Sequence, residues 1–370
     1  MNVNDYLIWR GDIPFSKNYP FNEVDGLILA RASYLPFDKI SFKEGDTFEI
    51  VSDKMKKLTD DDYKIIDDKD LIYNLGKSLR FKDLKLSDFV LNKSKEAERQ
   101  FGAITIHLGK EIYVSYIGTD NSLVGWKEDF NLSFMKNVPA QIEGVKYLND
   151  VLNKYKGKIR IGGHSKGGNV AIYSALYVDK KYKNRISNVY NFDGPGFYDS
   201  VISGGDKSIL DKIVTYIPQD SVIGRLLKHS WKITIVNSNN KGLYQHDIYS
   251  WEILKDRIVL NDGVTESSEF TNEAINEWLL NTTPQNRKIF VDGVFELLYS
   301  SDSESFRELS RTWTKEIPNM MNAYKDISKD DRKIISKMIG EFVKASSNVL
   351  KKTSKKKLEE IKENLFEKKE

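Results

Sequence analysis

The sequence has no cysteine and only four histidines in 370 residues, and these two scarcities remove whole classes of chemistry before any motif is read. Without thiols there is no disulfide, no thiolate nucleophile and no cysteine-ligated zinc. The histidines stand at 107, 164, 229 and 246, with no H-x-x-x-H spacing. A dedicated metal site and a cofactor are therefore not expected, and any catalytic imidazole comes from this short set. No apolar run approaches the roughly 18 residues that cross a bilayer. Mean hydropathy is −0.49, and Met1 to Arg10 holds an acidic residue and no apolar core of the signal-peptide kind, so the expected location is cytoplasmic. Charge of one sign is also lacking. Net charge is +3, and the last twenty residues, with eight lysines against five glutamates, carry all of that excess. The balanced remainder gives no basis for nucleic-acid binding.

What is present centres on Lys158 to Tyr177, in which Gly163-His164-Ser165-Lys166-Gly167 fits the G-x-S-x-G turn that joins a strand to a helix and exposes a serine hydroxyl. Glycines two residues either side of Ser165 suit a turn in which strand and helix approach closely. Ile159 and Ile161 precede it in a β-branched run, and Val170, Ala171, Ala175 and Leu176 follow on a helix with an Ala-rich face.

Around this turn the chain divides into three stretches. Residues 1–100 read as a helical, charged N-terminal region, with helical spacing in Glu23 to Tyr34 and in Asp68 to Leu79. From Gly102 the period changes. Ala103 to Leu108 and Glu111 to Ile117 alternate as a hairpin about Gly109-Lys110, with His107 on the more polar face. Pro139 to Tyr155 is a helix leading to the elbow strand, and strands are expected at Ile186 to Phe192, Lys212 to Ile217 and Ser230 to Val236. Strands separated by helix-length segments form a mostly parallel sheet covered on both faces. Residues 101–260 are thus read as an α/β core. Residues 261–370 read as a helical extension with a charged tail, left open to a protein partner or to peripheral membrane contact.

A serine hydroxyl needs a base to take its proton, and the base needs an acid to fix its tautomer. In chain order Ser, acid, His, only His229 and His246 qualify as the base. His246 lies in a loop beyond a strand and is preferred. For the acid, Asp220 follows the strand ending near Ile217 at its carboxyl end, where sites in open α/β sheets gather. Asp193, in Asn191-Phe-Asp-Gly-Pro-Gly196, is the runner-up, with turn chemistry as its simpler explanation. The oxyanion hole is assigned to the Lys166 backbone N–H and to Thr119, which offers both N–H and hydroxyl just past the second hairpin strand. The Lys166 side chain is expected to point to solvent.

Tyr113 to Asp129 resembles the class 3 lipase block with F-R-G-T/S and a downstream W-x-x-D. Asp220 to Leu226 is similar to the D-x-V-P-R-L acid loop of those lipases. Together with Trp9-Arg-Gly-Asp12, the G-H-S-K-G-G-N elbow and Gln245-His-Asp-Ile-Tyr-Ser-Trp251, the stretch from Val3 to Leu254 most resembles a family of uncharacterised bacterial lipase-like proteins, defined as a domain of unknown function. The lipase arginine is Ile117 here, and Ile223-Gly224 replaces a single proline. The resemblance implies an α/β-hydrolase-like fold for the core, to which the periodicity adds a helical N-terminal region and a helical C-terminal extension, the latter outside the match to the lipases. It also implies a serine hydrolase that cleaves carboxylic esters or thioesters, lipid-derived ones included. A non-catalytic interaction protein on the same scaffold, and an amidase or peptidase with the same triad, are the alternatives.

Overall fold

In the computed structural model, which describes residues 1–120, 122–301 and 303–367, seven strands form one sheet in the order of the sequence. Four short helices come first: α1 (Val3–Arg10), α2 (Glu23–Ala32), α3 (Phe48–Met55) and α4 (Asp67–Lys77). Asn2 and Asn22 close capping boxes on the first two, and Thr47 caps the third. The sheet then opens with β1 (Leu86–Ser94), β2 (Arg99–Leu108) and β3 (Glu111–Tyr116), an antiparallel meander. Leu108 pairs with Glu111 across a two-residue turn, in which Gly109 takes φ 82°. After α5 (Leu123–Asn131) and α6 (Pro139–Lys154), strand β4 (Ile159–His164) adds parallel to β3 and enters α7 (Lys166–Tyr177). The parallel part continues with β5 (Ile186–Phe192), the short α8 (Asp199–Gly204), β6 (Ile213–Pro218) and β7 (Ile233–Val236).

A small hairpin, β8 (Ile253–Leu254) and β9 (Arg257–Ile258), precedes four C-terminal helices: α9 (Glu266–Asn281), α10 (Pro284–Tyr299), α11 (Phe306–Asp326) and α12 (Lys329–Glu367). The end of the lysine-rich tail, 368–370, lies outside the described residues. No helix is long and apolar enough to cross a membrane among the described residues.

The sheet is covered on both faces, as the alternation of strand and helix requires. One face is packed by the N-terminal helices: Leu27, Ile28 and Leu29 of α2 join Ile104, Ile106, Tyr113 and Phe192 of the strands in one apolar cluster. Tyr113 Oη donates to the Gly26 carbonyl and Ser115 Oγ to that of Leu29, both at 3.0 Å, fixing α2 to β3. Two buried ion pairs brace this layer, Arg80 with Asp25 (2.5 Å) and Arg31 with Asp68 (2.7 Å). The other face carries α6 and α7, with Leu148, Val151, Val170 and Ala171 against Val114, Ile161 and Val189. The mostly parallel sheet with helices on both faces and a strand–serine–helix turn is an α/β-hydrolase-like fold.

One boundary differs from the sequence reading. Residues 86–94 were expected within a helical N-terminal region, yet β1 pairs along β2 from Leu86↔Ile106 to Ser94↔Arg99. The run Leu-Ser-Asp-Phe-Val-Leu-Asn-Lys-Ser alternates poorly because a bulge between Ser87 and Val90 breaks its period.

Candidate active site

Strand β4 passes into α7 through Ser165, which holds φ 59° and ψ −135°, a region that a residue with a side chain occupies only at a cost of order 1–3 kcal/mol. The neighbouring glycines are required by contact. A Cβ on Gly163 would stand 2.4 Å from the Gly167 carbonyl carbon, and one on Gly167 would stand 2.2 Å from the Tyr116 oxygen. Ser165 N donates to Phe192 O (2.9 Å), tying the turn to β5. The Ser165 side chain lines a cavity of about 820 Å³ that also receives His246, His164, Thr119 and Lys166. In this conformation its hydroxyl makes no hydrogen bond among the described residues.

His246 closes a 3-10 turn, Gly242–His246. Its Nδ1 lies 2.6 Å from Oδ2 of Asp193, the residue that directly follows β5. Asp193 is 1% exposed and its other oxygen accepts from Ser221 Oγ (2.5 Å) and Gly224 N (3.1 Å). A buried carboxylate held by three donors fixes the imidazole with Nδ1 protonated and leaves Nε2 as the acceptor facing the cavity. Asp193 reaches this place at φ 52°, so the Asp-Gly-Pro-Gly turn does bend the chain sharply, and the bend aims the carboxylate at His246.

Asp220, the sequence-predicted acid, is not beside His246. Its carboxylate accepts from Gly242 N (2.5 Å), Thr265 Oγ1 (2.5 Å) and Ser267 Oγ, and its N–H donates to Gln245 Oε1 (2.7 Å). Burial opposes the charge, but the hydrogen bonds from Ser267, Thr265 and Gly242 outweigh it and hold this carboxyl below its ordinary range. Asp220 thus fastens the loop that carries His246 to the start of α9. The loop that resembles the lipase acid loop still serves the site, since its Ser221 and Gly224 hold Asp193. The extra residue in Ile223-Gly224 provides a backbone N–H where a proline would provide none.

The other imidazoles have different surroundings. His164 donates from Nε2 to the His246 carbonyl (2.8 Å), and its ring lies 4.4 Å, centre to centre, from that of His246. Burial, then the nearby charge of His246, Arg31 and Lys64, drives it well below the ordinary histidine range, so it is a neutral brace. His229 meets the Gly224 carbonyl through Nε2 (2.7 Å) and does not line the cavity. His107 meets Ser87 Oγ (2.8 Å) at the meander.

At the same cavity, the N–H groups of Thr119 and Lys166 have no hydrogen-bond partner among the described residues. That of Lys166 is the first of α7, where helices leave such donors free. The Thr119 hydroxyl donates to Asp129 and its carbonyl accepts from Lys64 Nζ, so what Thr119 offers the cavity is its amide. Residue 121 of this loop lies outside the described residues. The Lys166 side chain turns inward, against expectation: Nζ meets Glu128 Oε2 (2.8 Å), Gln100 Oε1 (2.9 Å) and Gln100 O (3.2 Å) and is buried. Glu128 also accepts from the N–H groups of Gln100 and Ala140, so this pair locks α5 and β2 to the elbow helix. Two titratable groups on the cavity wall were given no role from the sequence. Burial pushes Asp129 up to about 6, against Lys166 and the Thr119 hydroxyl. Burial and the charge of Arg31 push Lys64 down to about 7. Asp129 closes the W-x-x-D of the lipase-like block and Lys64 carries no local motif; the fold brings both to the cavity of Ser165.

The chemistry this arrangement offers is nucleophilic attack by a hydroxyl with a base and two amide donors in the same cavity. Among the described residues no cluster of three candidate ligands for a metal ion occurs. The Mbeg1-like family matches residues 75–296, well over half of the chain, and the chain belongs to that family, the lipase-related group that its elbow and histidine block resemble. Two solved structures to which part of the chain is similar are lipases. The Lip2 lipase of Yarrowia lipolytica has 15% identity and a TM-score of 0.30, covering 45% of this chain and 68% of its own. The Rhizomucor miehei lipase in its propeptide complex has 18% identity and a TM-score of 0.33, covering 43% and 58%. No curated protein matches.

Proposed function

We propose that this member of the Mbeg1-like family is a serine hydrolase of carboxylic esters or thioesters. One observation carries the reading: Ser165, on a strained turn, opens on the same cavity as an imidazole whose Nδ1 is fixed by a buried carboxylate at 2.6 Å. In the substrate complex, His246 Nε2 takes the proton of Ser165 Oγ as that oxygen adds to the acyl carbonyl. Asp193 stabilises the resulting imidazolium. The amides of Thr119 and Lys166 receive the negative charge that develops on the carbonyl oxygen. The imidazolium then protonates the leaving alkoxide or thiolate, the C–O or C–S bond breaks, and an acyl-Ser165 remains. Water, deprotonated by the same His246, attacks it and releases the acid. The free-state hydroxyl is unbonded, a common condition of such pairs before substrate closes the site.

A fluorophosphonate probe tests this directly. Covalent labelling of the intact protein that disappears in Ser165→Ala, with an unchanged circular dichroism spectrum, is the expected result. Absence of labelling in well-folded wild-type protein would reject the reading in favour of a non-catalytic scaffold.

A further inference from the structure

The cavity over Ser165 is lined by two different parts of the chain. The core supplies all the charged groups and hydroxyls, Thr119, Asp129, His164, Ser165 and His246 among them, beside apolar side chains such as Phe130 and Val222. The other part comes from α9, α10 and α12, and every side chain those helices contribute to the lining is apolar, including Trp278, Leu279, Phe290, Met338 and Phe342. Helix α12 begins at Lys329, beyond the 75–296 stretch that matches the family, so part of this wall is not common to that matched region. The wall is built rather than incidental. Trp278 Nε1 donates to the Met338 carbonyl (3.0 Å), and its ring meets Phe290 and Phe342 edge-on at 6.1 and 6.3 Å. Asn348 and Lys352 of α12 both reach Glu277 of α9 (2.6 and 3.3 Å), and Gly293 of α10 lets Ile335 approach.

Resting on the serine-hydrolase reading, we infer that the C-terminal helices form the acyl-chain pocket of the site, that its substrate carries a long unbranched acyl chain, and that α9 and α12 set the accepted length. Size agrees. At roughly 30 Å³ per methylene, about the share of one water in the liquid, a sixteen-carbon chain takes about 480 Å³, which fits within 820 Å³. Polarity agrees as well, because the one side-chain donor of this wall, Trp278 Nε1, is already bonded to the Met338 carbonyl, and a sugar or peptide hydroxyl or amide laid against the wall would stay unpaired. The hydrocarbon lies against Trp278, Leu279 and Phe342 while its carbonyl stays beside Ser165.

The test compares p-nitrophenyl butanoate with p-nitrophenyl hexadecanoate. In wild type, kcat/KM rises roughly fourfold per added methylene while the pocket has room. Leu279→Trp, which fills the pocket, lowers the hexadecanoate-to-butanoate ratio at least tenfold. Phe342→Ala, at the partly exposed edge, shifts the optimum to longer chains. A ratio unchanged by both substitutions overturns the inference. Binding of hexadecanoate to Ser165→Ala, read as quenching of tryptophan fluorescence, tests the pocket without catalysis. Quenching that is lost in Ser165→Ala with Leu279→Trp supports it, and no quenching in Ser165→Ala overturns it. Loss of fluorophosphonate labelling would by contrast reject the hydrolase reading alone.

Discussion

Replacing Asp193 or Asp220 by asparagine separates two carboxylates that each stand just past a strand of the parallel sheet, β5 and β6, and do different things. In Asp193→Asn one oxygen remains where two stood. If that oxygen stays with Ser221 and Gly224, the new amide NH₂ faces His246 Nδ1 across 2.6 Å. Two donors cannot share that position, so the ring shifts its proton to Nε2 and can no longer accept from Ser165. If the amide flips, its NH₂ is set against the Gly224 N–H, donor against donor, and that N–H keeps only its bond to Ser221 Oγ (3.0 Å), losing a bond to a charged acceptor that is typically worth about 1.5–3 kcal/mol. The first arrangement prevails, and a wrong tautomer of this kind costs about 10⁴ in kcat, close to 5 kcal/mol of barrier. Asp220→Asn loses a hydrogen bond from Gly242 or from Thr265 and Ser267. It loosens the loop and lowers thermal stability, but leaves the His246 ring with its partner, so kcat/KM stays within about tenfold of wild type. Rates with p-nitrophenyl butanoate and with a fluorophosphonate, alongside thermal melts, distinguish the two variants. Asp193→Asn within tenfold of wild type, with Asp220→Asn down a thousandfold, would refute the assignment.

Further expectations concern stability. Lys166→Met leaves Glu128 buried with its two backbone donors and no cation. Breaking such a pair costs about 3 kcal/mol or more, which urea unfolding measures, and Glu128→Gln added to it restores part of the loss. A change below about 1 kcal/mol would show that the pair does not lock the elbow. Buried His164 and half-buried His229 are held below their ordinary range by desolvation. Below about pH 6.5 the unfolded chain therefore binds protons that the folded chain refuses, and stability falls as pH drops through that region. Lys64, pushed down to about 7, binds fewer protons folded than unfolded from there to about pH 10, so it makes stability rise with pH across that window. Urea midpoints at pH 5, 6, 7 and 9 follow both slopes, and Lys64→Met flattens the second. Profiles without either slope would mean that these groups are more solvated than the fold places them.

Which parts of this site a reader of the sequence can see depends on whether the constraint is local. Gly163 and Gly167 are visible because the turn at Ser165 needs them within five residues, and the Gly109 hairpin is visible for the same reason. Asp193 is harder, because the Asp-Gly-Pro-Gly sequence that marks a bend is also what turns its carboxylate, at the carboxyl end of β5, toward His246. A turn signal and a functional carboxylate look alike until β6 and its loop bring Ser221 and Gly224 against it. Lys166 reads as an exposed helix residue because its partners, Gln100 and Glu128, stand 66 and 38 residues away. Trp278 and Met338, 60 residues apart, become one wall because α9 and α12 pack together, with the Trp278 hydrogen bond to the Met338 carbonyl among the contacts between them. In each of these cases the missing information is a pairing of distant elements. Substitutions at the pairing partners, Glu128 or Gly224, are accordingly expected to disturb the site as much as changes in the elbow itself.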